Sequence, residues 1–384
     1  MAKRPLNKTK SKEKLAMSVK HISSAILGVG VDDTTIDLFE SQYPVPTGVS
    51  YNSYVILDEK TTILDTVDHR ATEEWPEYLI VSHMEPDHGA NIAKLAALYP
   101  EMQVVGNAKT FQYMDQFFGP EAVAKDRRVT VKDGESLNLG SHTLTFVFAP
   151  MVHWPEVMVS YESSEKVLFS ADGFGRFGAV AKFDEKADWA SEARRYYLNI
   201  VGKYGPQVQA LLKKAAALDI KTICPLHGPV LTGDLGKYLN YYDMWSSYKP
   251  EEPEKILVAS ASIHGHTRSA AHILAEKLRA KGAKVVEMDL TRTDVSYAVT
   301  EAFRCGKTVL ACATYDLKTK NFQNRTVGLM ENGTWAPMAA KLMRAELDGM
   351  KNMTVCDTVV TIRSAVNAAA EAQMDALAEE IVRK

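Results

Sequence analysis

Residues 82–91 read SHMEPDHGAN and directly follow the apolar run YLIV at residues 78–81. Four potential metal ligands, His83, Glu85, Asp87 and His88, lie within six positions of this stretch. A loop at the carboxyl end of a strand can turn alternate side chains toward one point, and imidazole with carboxylate suits iron, manganese or zinc. Taken alone, the cluster is equally typical of a solvated polar loop, because these residue types are common at turns.

Three more residues of ligand type stand just past predicted strands farther along the chain. His153 follows TLTFVFA, Asp172 follows KVLFSA and His227 follows KTICP. Each alone has a structural explanation, as a hydrogen-bonded loop histidine or as a turn residue before Gly173 or Gly228. Because all seven residues follow the ends of strands, we predict that they converge on one metal site.

Length and composition limit the class of protein. A chain of 384 residues exceeds what one hydrophobic core usually organises, and a hydrophobic content of 46% can fill two cores. The 45 basic and 48 acidic residues leave a net charge of -3, which gives no field that attracts nucleic acid or an anionic membrane. We therefore expect two globular domains that act on small molecules and bind neither nucleic acid nor membrane.

The cysteines and the amino-terminal segment indicate the compartment. The four cysteines form no CxxC pair, so neither a disulfide framework nor a thiolate metal site is visible. This usage fits a reducing cytosol, and we expect a cytoplasmic protein. Residues 1–20 are basic but lack the apolar segment of a signal peptide, so we expect a flexible tail. No stretch is apolar for long enough to span a membrane.

A proline-rich, charged segment, YKPEEPEK at residues 248–255, separates two sequence patterns. Residues 21–249 alternate short β-rich runs such as SYNSYVIL with loops, which is typical of α+β or α/β layers. Residues 250–384 alternate the strands KILVA, KVVEMDL, TVLAC, TVGLME and MTVCDTVVTI with helical patterns at residues 269–281, 336–350 and 367–382. This alternation predicts a doubly wound parallel sheet.

The loop SASIHGHTRSA at residues 260–270 follows the first strand of the second pattern. Ser260, Ser262, Gly265 and Thr267 precede a helix, which is the arrangement of a phosphate cradle. The loop is neither GxGxxG nor a Walker motif, so FMN fits better than a dinucleotide or ATP. An ordinary capped loop has a similar sequence. The doubly wound context favours the phosphate site.

With these motifs the chain resembles the metallo-β-lactamase superfamily, whose hydrolases typically carry HxHxDH followed by His, Asp and His. Glu85 replaces the second histidine here, and HxExDH is similar to the pattern of the flavodiiron branch. The resemblance runs through most of residues 30–245, including HWPE and EARRYY. It implies an αββα metallo-β-lactamase-like sandwich followed by a flavodoxin-like domain. The anionic oxygen of Glu85 also makes the site harder, which favours iron or manganese over zinc.

The resemblance implies two non-haem irons joined by an oxo or hydroxo bridge. The first iron would be bound by His83, Glu85 and His153, the second by Asp87, His88 and His227, with Asp172 bridging both. The three carboxylates and one bridging hydroxide would balance the charge of two ferrous ions. A tyrosine of EARRYY, which we take to be Tyr197, is expected near the irons, although a core aromatic explains it equally well.

The resemblance to flavodoxins implies that FMN lies against the phosphate loop and two further loops. The expected flavin-binding residues are Ser260, Ser262, His264, Gly265, His266, Thr267, Thr314, Tyr315, Asn332, Gly333, Thr334 and Trp335. His264 and His266 lack a nearby carboxylate, so we prefer contacts to flavin or solvent over metal binding. Trp335 either covers the ring or is a buried aromatic. Residues 75–76 and 316–317 mark stretches shorter than in the family, through true deletions or through residues missing from the sequence.

The implied activity is reduction of O2 to water, of NO to N2O, or of both, with FMN passing electrons to the irons. The expected electron donor is rubredoxin or a similar small redox protein. Family members form head-to-tail homodimers in which one subunit's FMN approaches the other's irons, and Trp154 is expected at that junction or in a core. One alternative is a metal-dependent hydrolase with an accessory flavodoxin module. The other is a non-catalytic flavin-binding electron carrier with a vestigial metal site.

Overall fold

The computed structural model describes residues 16–67, 78–182, 188–262, 264–311, 321–332, 337–362 and 366–384. Its strands form an eight-stranded sheet, two five-stranded sheets and one two-stranded ribbon. Within these ranges no helix combines the length and the apolar character needed to cross a membrane.

The eight-stranded sheet is built from the amino-terminal part of the chain. The first ten strands are β1 (Ala16–His21), β2 (Ile26–Asp33), β3 (Leu38–Phe39), β4 (Tyr43–Pro44), β5 (Val49–Tyr51), β6 (Tyr54–Ile56), β7 (Thr62–Leu64), β8 (Tyr78–Ile80), β9 (Gln103–Gly106) and β10 (Arg128–Thr130). The sheet order is β1-β2-β6-β7-β8-β9-β10, with β5 also paired to β2, while β3 and β4 form the ribbon. Pairing changes from antiparallel to parallel at β7 and β8.

The first five-stranded sheet packs face to face against the eight-stranded sheet. Its strands, in sheet order, are β11 (Ser136–Asn138), β12 (Thr143–Phe148), β13 (Met158–Glu162), β14 (Val167–Phe169) and β15 (Thr222–Cys224). Strand β12 alternates, so that Leu144 and Phe146 are buried between the sheets with Ile26 and Ile56. The period of two in TLTFVF therefore determines which face of β12 forms the inner core.

The described part of the sandwich also contains helices. They are α1 (Pro86–Gly89), α2 (Ile92–Leu98), α3 (Ala108–Phe118), α4 (Trp189–Tyr196), α5 (Gly205–Ala215) and α6 (Gly236–Ser246), with a π-helical turn at Tyr197–Val201 and 3-10 turns at Lys125–Arg127, Val180–Lys182 and Gly202–Tyr204. Helices α2 and α3 pack on the eight-stranded sheet through Leu95 and Phe111. Helices α5 and α6 pack on the other sheet through Val208 and Tyr242. The predicted αββα sandwich is confirmed.

The last five-stranded sheet is parallel throughout. Its elements are β16 (Glu252–Ser260), α7 (His266–Ala280), β17 (Val285–Asp289), α8 (Val295–Arg304), β18 (Cys305–Leu310), β19 (Arg325–Asn332), α9 (Ala339–Asp348), β20 (Met353–Ile362) and α10 (Ala368–Arg383). The order is β17-β16-β18-β19-β20. Helices α7 and α10 pack on one face through Leu274 and Leu377, and α8 and α9 on the other through Val299 and Met343. The predicted doubly wound, flavodoxin-like sheet is confirmed.

Three details of the sequence prediction differ from the structure. The expected flexible tail, residues 1–20, overlaps β1, because the backbone of residues 16–20 pairs with β2. The run SYNSYVIL is two short strands, β5 and β6, because the backbone N–H of Asn52 leaves the sheet and donates to the Leu226 carbonyl at 2.8 Å. Helix α8 was not predicted, since its ten residues include β-branched Val295, Val299 and Thr300, which weaken helix propensity.

A buried arginine joins the sandwich to the parallel sheet. Arg195 is 1% exposed and donates to the Pro44 carbonyl at 2.8 Å and to Glu192 at 2.7 Å. It also reaches the Ser296 hydroxyl of α8 at 3.3 Å, and its guanidinium lies 4.5 Å from the centre of the Tyr297 ring. The two parts of the chain therefore share one packed interface. The boundary near residue 250 remains a prediction, and β16 begins inside the segment taken as the linker.

Candidate metal centre and flavin site

The seven predicted ligands lie together at one end of the sandwich. Those of the first motif follow β8, and the remaining three follow β12, β14 and β15. Strands β12, β14 and β15 run in the same direction, so the loops after them meet at one edge. The ligand atoms form two compact groups in which all atoms lie within 4.8 Å of one another: His83, Glu85, His153 and Asp172 in one, Asp87, His88 and His227 in the other.

The first group is organised around the carboxylate of Glu85. Its Oε2 atom lies 3.1 Å from Nε2 of His83 and 3.1 Å from Nε2 of His153. Apart from Asp172, the second group has the same composition, because Oδ2 of Asp87 lies 3.4 Å from Nε2 of both His88 and His227. Each group therefore presents two imidazoles and one carboxylate.

Asp172 lies between the groups and directs one oxygen to each. Its Oδ2 is 3.0 Å from Nε2 of His153 and 3.7 Å from Nε2 of His83. Its Oδ1 is 3.2 Å from Nε2 of His88 and 3.6 Å from Nε2 of His227. Asp172 is 1% exposed, so neither oxygen has solvent as an alternative partner. The side chain is placed to bridge two cations.

Many polar atoms of this cluster have no hydrogen-bond partner, and a pair of metal ions would satisfy them. Among the described residues, buried atoms without a hydrogen-bond partner include both oxygens of Asp87, both ring nitrogens of His88, Oδ1 of Asp172 and Nε2 of His227. Leaving such groups unsatisfied is costly, so a concentration of them indicates a missing partner. Two imidazoles and one carboxylate with open positions are a ligand set typical of non-haem ferrous iron.

Neighbouring groups orient the histidines from behind. Nδ1 of His83 lies 2.7 Å from Oε1 of Glu156, which also accepts from the Met84 backbone N–H at 2.9 Å. Nδ1 of His227 donates to the Ser50 carbonyl at 2.9 Å. These contacts keep the ring proton on Nδ1 and so leave the lone pair of Nε2 in each ring available to bind a metal. Glu156 lies in the HWPE stretch, but its role was not predicted.

The loop that carries His227 is tied to the opposite sheet. The side-chain amide group of Asn52 donates to the carbonyls of Pro225 and Gly228, each at 2.8 Å. The loop of His83 is held similarly, because Asp65 accepts from the Ser82 backbone N–H at 2.7 Å. The His227 loop is therefore held by contacts that cross between the two sheets, and the His83 loop by a contact within the eight-stranded sheet.

Charge coupling within the cluster is strong. Burial by itself lowers the pKa of His88, but the charges of Asp87 and Asp172 outweigh it and raise that pKa to about 9. Burial also lowers the pKa of His153, while hydrogen bonds to Asp172 and Glu85 raise it to about 9. The carboxylates thus stabilise positive charge here, and bound metal ions would displace the protons.

The structure corrects the predicted position of the tyrosine. Tyr197 packs against Tyr242 and Trp245, with ring centres 5.0 and 5.4 Å away, on the far side of the helix. Tyr196 faces the ligands instead, and its ring lies 5.5 Å from that of His227. Burial and the charges of Asp172 and nearby carboxylates raise the pKa of Tyr196. Its hydroxyl has no hydrogen-bond partner among the described residues.

Aromatic side chains and one further carboxyl group surround the ligands. Phe39, in the ribbon, lies 5.3 Å from the His227 ring, and Trp154 lies 5.2 Å from the His83 ring. Although Glu40 as a residue is exposed, burial of its carboxyl group and a hydrogen bond to Glu85 raise its pKa to about 8. Sequence reasoning missed Glu40, because a lone glutamate in a turn carries no signal.

The predicted phosphate loop lies between the carboxyl end of β16 and the start of α7. Gly265 has a φ of +87° at the amino end of α7, where it provides no side-chain cap for the helix. The first N–H groups of a helix lack partners within the helix, so they can bind an anion. Ser260 is buried and Ser262 and Thr267 are half-buried, whereas His264 and His266 are exposed. The loop suits a phosphate with solvent on one side.

Asn332 ends β19 at the same edge of the sheet as Ser260, because all five strands are parallel. The preceding Glu331 accepts from the Ala340 backbone N–H at 2.9 Å and from the Thr361 hydroxyl at 3.0 Å, so it supports this edge. The other predicted flavin contacts, Thr314, Tyr315, Gly333, Thr334 and Trp335, lie outside the described residues. So do the short stretches at residues 75–76 and 316–317.

Known proteins share this architecture. A family model described as ODP family beta lactamase matches residues 50–228. An uncharacterized protein of Methanocaldococcus jannaschii is 30% identical over 303 residues, which are 75% of this chain and 75% of that protein. The solved structure of rubredoxin oxygen:oxidoreductase from Desulfovibrio gigas is 26% identical and has a TM-score of 0.87, covering 95% of this chain and 98% of its own.

Further relatives differ in how much of their length is matched. The flavodiiron protein of Giardia intestinalis shares the fold, with 24% identity and a TM-score of 0.88 over 96% of this chain and 97% of its own. A nitric oxide reductase of Moorella thermoacetica is 29% identical over 73% of this chain and 74% of its own length. The chain spans only about half, 51% and 50%, of two diflavin flavoproteins of Synechocystis. With this identity, coverage and ligand geometry, the chain belongs to the flavodiiron family.

Proposed function

We propose that this protein reduces O2 to water, NO to N2O, or both, at two non-haem irons that receive electrons from FMN. The observation that carries the proposal is Asp172, whose two oxygens face two separate ligand groups of identical composition. Glu85 supplies the carboxylate of the first group, where the related hydrolases have a histidine. Both positions thus resemble ferrous sites that react with diatomic gases.

The residues of the chain would prepare the site for that reaction. His83, Glu85 and His153 would hold one iron, and Asp87, His88 and His227 the other, with Asp172 between them. Ferrous ions would supply redox electrons and open coordination positions there, and FMN would supply a two-electron store. Glu156 and the Ser50 carbonyl keep two imidazoles in the metal-binding tautomer. The ring of Tyr196 lies beside that of His227, and its hydroxyl, which has no hydrogen-bond partner among the described residues, could donate a hydrogen bond to the substrate.

The flavin would bind where the doubly wound sheet changes direction. Strand β16 lies between β17 and β18, and the crevice at this switch point is where such sheets bind ligands. Ser260, Ser262, Gly265, His266 and Thr267 would contact the phosphate. His264 and Asn332 would contact the rest of the flavin, together with Thr314, Tyr315, Gly333, Thr334 and Trp335.

The decisive experiment follows flavin reoxidation. Protein loaded with iron and FMN is reduced under anaerobic conditions and mixed with O2 or NO in a stopped-flow spectrometer. We expect rapid flavin reoxidation by at least one gas. The matched control is the same chain loaded with zinc, which occupies the ligands but cannot change oxidation state. Equal rates in the two preparations would show that the metal pair is not the reacting site.

The same preparations test the hydrolase alternative. A metal-dependent hydrolase would retain zinc preferentially and turn over ester, phosphodiester or β-lactam substrates. We expect iron to be retained and no such turnover. Tightly held zinc with hydrolytic activity, and no reaction of the reduced iron form with either gas, would overturn the proposal.

We infer that the electron donor is a separate redox protein such as rubredoxin, and that the chain works in the cytoplasm as a head-to-tail homodimer. Cys224, Cys305 and Cys356 are buried and free, which fits a reducing compartment. Trp154 stacks on Phe117, which is 48% exposed, so an aromatic surface adjoins the metal ligands. A partner's flavin approaching there would be close to the irons. Analytical ultracentrifugation tests the dimer, and a monomer at every concentration contradicts it.

A further inference from the structure

An apolar cavity of about 400 Å3 lies between the five-stranded sheet of the sandwich and helices α5 and α6. Its walls include Val159 and Leu168 from the sheet and Val208, Leu212 and Ala215 from α5. The volume lies within the range of small-molecule sites and far exceeds that of a single diatomic molecule. The described contacts of the proposed metal and flavin sites do not use it.

The inner end of the cavity adjoins the metal ligands. Val152 and Gly173 both line it, and they are the chain neighbours of His153 and Asp172. Burial raises the pKa of the lining residue Tyr242, and the nearby Asp172 carboxylate adds to this rise. The cavity thus ends close to the bridging carboxylate.

The outer end of the cavity reaches the molecular surface. Leu239 and Asp243 of α6 line it there, and Leu239 is 37% exposed. Asp243 is also exposed and accepts from the Gln209 side chain at 2.9 Å. A molecule small enough to pass these side chains can therefore enter from solvent.

The polar groups of the inner wall are already engaged. The Ser170 hydroxyl donates to the Gly173 carbonyl at 2.6 Å, and the Tyr242 hydroxyl accepts from the Phe174 backbone N–H at 2.5 Å. The Phe174 and Tyr242 rings stack with centres 4.1 Å apart. A polar ligand would find little to recognise, and apolar cavities generally exclude water while binding apolar molecules as small as xenon.

We propose that this cavity concentrates the diatomic gas and leads it to the metal pair. The inference rests on the proposed function, since only a gaseous substrate needs such a route. O2 and NO are small and weakly hydrated, so they partition into an apolar volume that excludes water. The cavity raises their local concentration beside the loops of His153 and Asp172.

A larger side chain that fills part of the cavity tests the proposed route. Ala215→Phe introduces a ring into the lining from α5, and Ala217→Phe places the same ring two residues later at an exposed position outside the lining. Crystals of the full chain are pressurised with xenon and examined by diffraction. We expect xenon in the cavity of the wild type and of Ala217→Phe, and reduced or no xenon in Ala215→Phe. No xenon in the wild type overturns the proposal.

The rate of flavin reoxidation shows whether the cavity delivers gas to the metals or has no part in the reaction. At low gas concentration the second-order rate of flavin reoxidation should fall several-fold in Ala215→Phe and stay unchanged in Ala217→Phe. At saturating gas the three rates should agree, because the plug changes delivery and not the site. Leu239→Trp, which narrows the outer end, provides a second test should Ala215→Phe fold poorly, and it should lower the same rate.

The outcomes distinguish the two proposals. If the wild type reacts with a gas and both plugged proteins react equally fast, the route is wrong and the proposed function stands. If the wild type reacts with neither gas, the proposed function fails and the route fails with it, whatever the xenon occupancy. A larger organic molecule retained in the cavity through purification would also contradict a gas route.

Discussion

The metal-binding half and the flavin-binding half of this chain prepare their sites in different ways. His83, His88 and His227 are each at most 1% exposed, and contacts that cross between the two sheets hold His83 and the loop of His227. The phosphate loop instead leaves His264 and His266 exposed at one edge of a single sheet. The metal ligands are therefore positioned before the metal arrives, whereas the flavin loop depends more on its ligand for order.

This difference predicts two kinds of failure. A change in the metal half should remove metal outright or alter its affinity strongly, because buried ligands have no alternative partner. A change in the flavin loop should weaken FMN by a modest factor and leave the metals in place. Results that reverse this pattern would show that the two halves depend on each other for their structure.

The largest effect is expected for Asp172→Asn. The amide keeps the size of the side chain but provides one neutral oxygen where two charged oxygens face the two ligand groups. The metal content should fall from two per chain to one or fewer, as measured by elemental analysis after gel filtration. Flavin content should remain near that of the wild type.

The matched control for this change is Asp126→Asn, which alters an exposed aspartate and should leave both metals bound. A full pair of metals in Asp172→Asn would contradict the bridging role of Asp172. Loss of FMN together with the metals would instead show that the flavin half requires an intact metal centre.

A smaller effect is expected for Glu156→Gln, which acts through His83. The carboxylate accepts from Nδ1 of His83 at 2.7 Å and from the Met84 backbone N–H at 2.9 Å. A neutral amide holds the ring less firmly and makes it less basic, so metal affinity should fall by about 10- to 100-fold. Competition with a chelator measures the change. Glu121→Gln, at an exposed position, should match the wild type, and an unchanged affinity in Glu156→Gln would contradict the positioning role.

The ligands could be predicted because each follows a strand end, where parallel loops meet. Glu156 could not be assigned, because its partner His83 lies 73 positions away in the chain and no local pattern joins them. The choice between Tyr196 and Tyr197 depends on helix phase. A π-helical turn begins at Tyr197, directly after α4. Its turn contains more residues than a regular turn of 3.6 residues, so the direction of each side chain cannot be predicted from the α-helical period.

In the flavin-binding half, the fold could be predicted better than the binding site. Its alternation of strands and helices made the parallel sheet predictable, and the phosphate loop falls at the expected strand end. Helix α8 was missed because its β-branched residues weaken helix propensity, although Asp294 caps its amino end by accepting from the Ser296 backbone N–H at 2.8 Å. Buried metal ligands leave a clear sequence pattern, whereas most of the predicted contacts to the flavin ring lie outside the described residues and stay predictions.

Gly265→Ala should affect only the flavin half. Gly265 has a φ of +87°, a conformation that costs an alanine about 1 kcal/mol, and an added Cβ would meet no atom closer than 3.9 Å. The free loop can relax, so FMN binding must restore the strained backbone and should weaken about fivefold. Fluorescence titration of the apoprotein with FMN measures this, and metal content should not change.

Gly282→Ala provides a closely matched control. Gly282 has a φ of +84° and nothing within 4 Å of an added Cβ, but it lies beyond the other end of α7. It should lower stability to a similar extent while FMN affinity stays at the wild-type value. Equal weakening of FMN by both substitutions would indicate a general loss of stability, and no weakening by Gly265→Ala would remove this loop from the flavin site.

The smallest effect is expected for a side-chain contact in the metal-binding half that lies far from the ligands. His142 and Asp58 join two hairpins, with Nδ1 of His142 lying 2.8 Å from Oδ2 of Asp58. Burial lowers the pKa of His142, but hydrogen bonds to Asp58 and Glu165 outweigh it and raise the pKa above its usual value. The protonated imidazole is therefore favoured by the folded state.

The sign of the pH dependence follows from this raised pKa. The stabilisation is fully present below the unfolded pKa of about 6.5 and is lost as pH rises through the higher folded pKa. Its size should be of the order of 1 kcal/mol, as for other pairs near a surface. Between pH 6 and 9, the wild type should therefore lose stability relative to His142→Gln, whose amide does not titrate. The exposed His21→Gln should follow the wild type in thermal unfolding, and parallel pH profiles for all three proteins would contradict the role of His142.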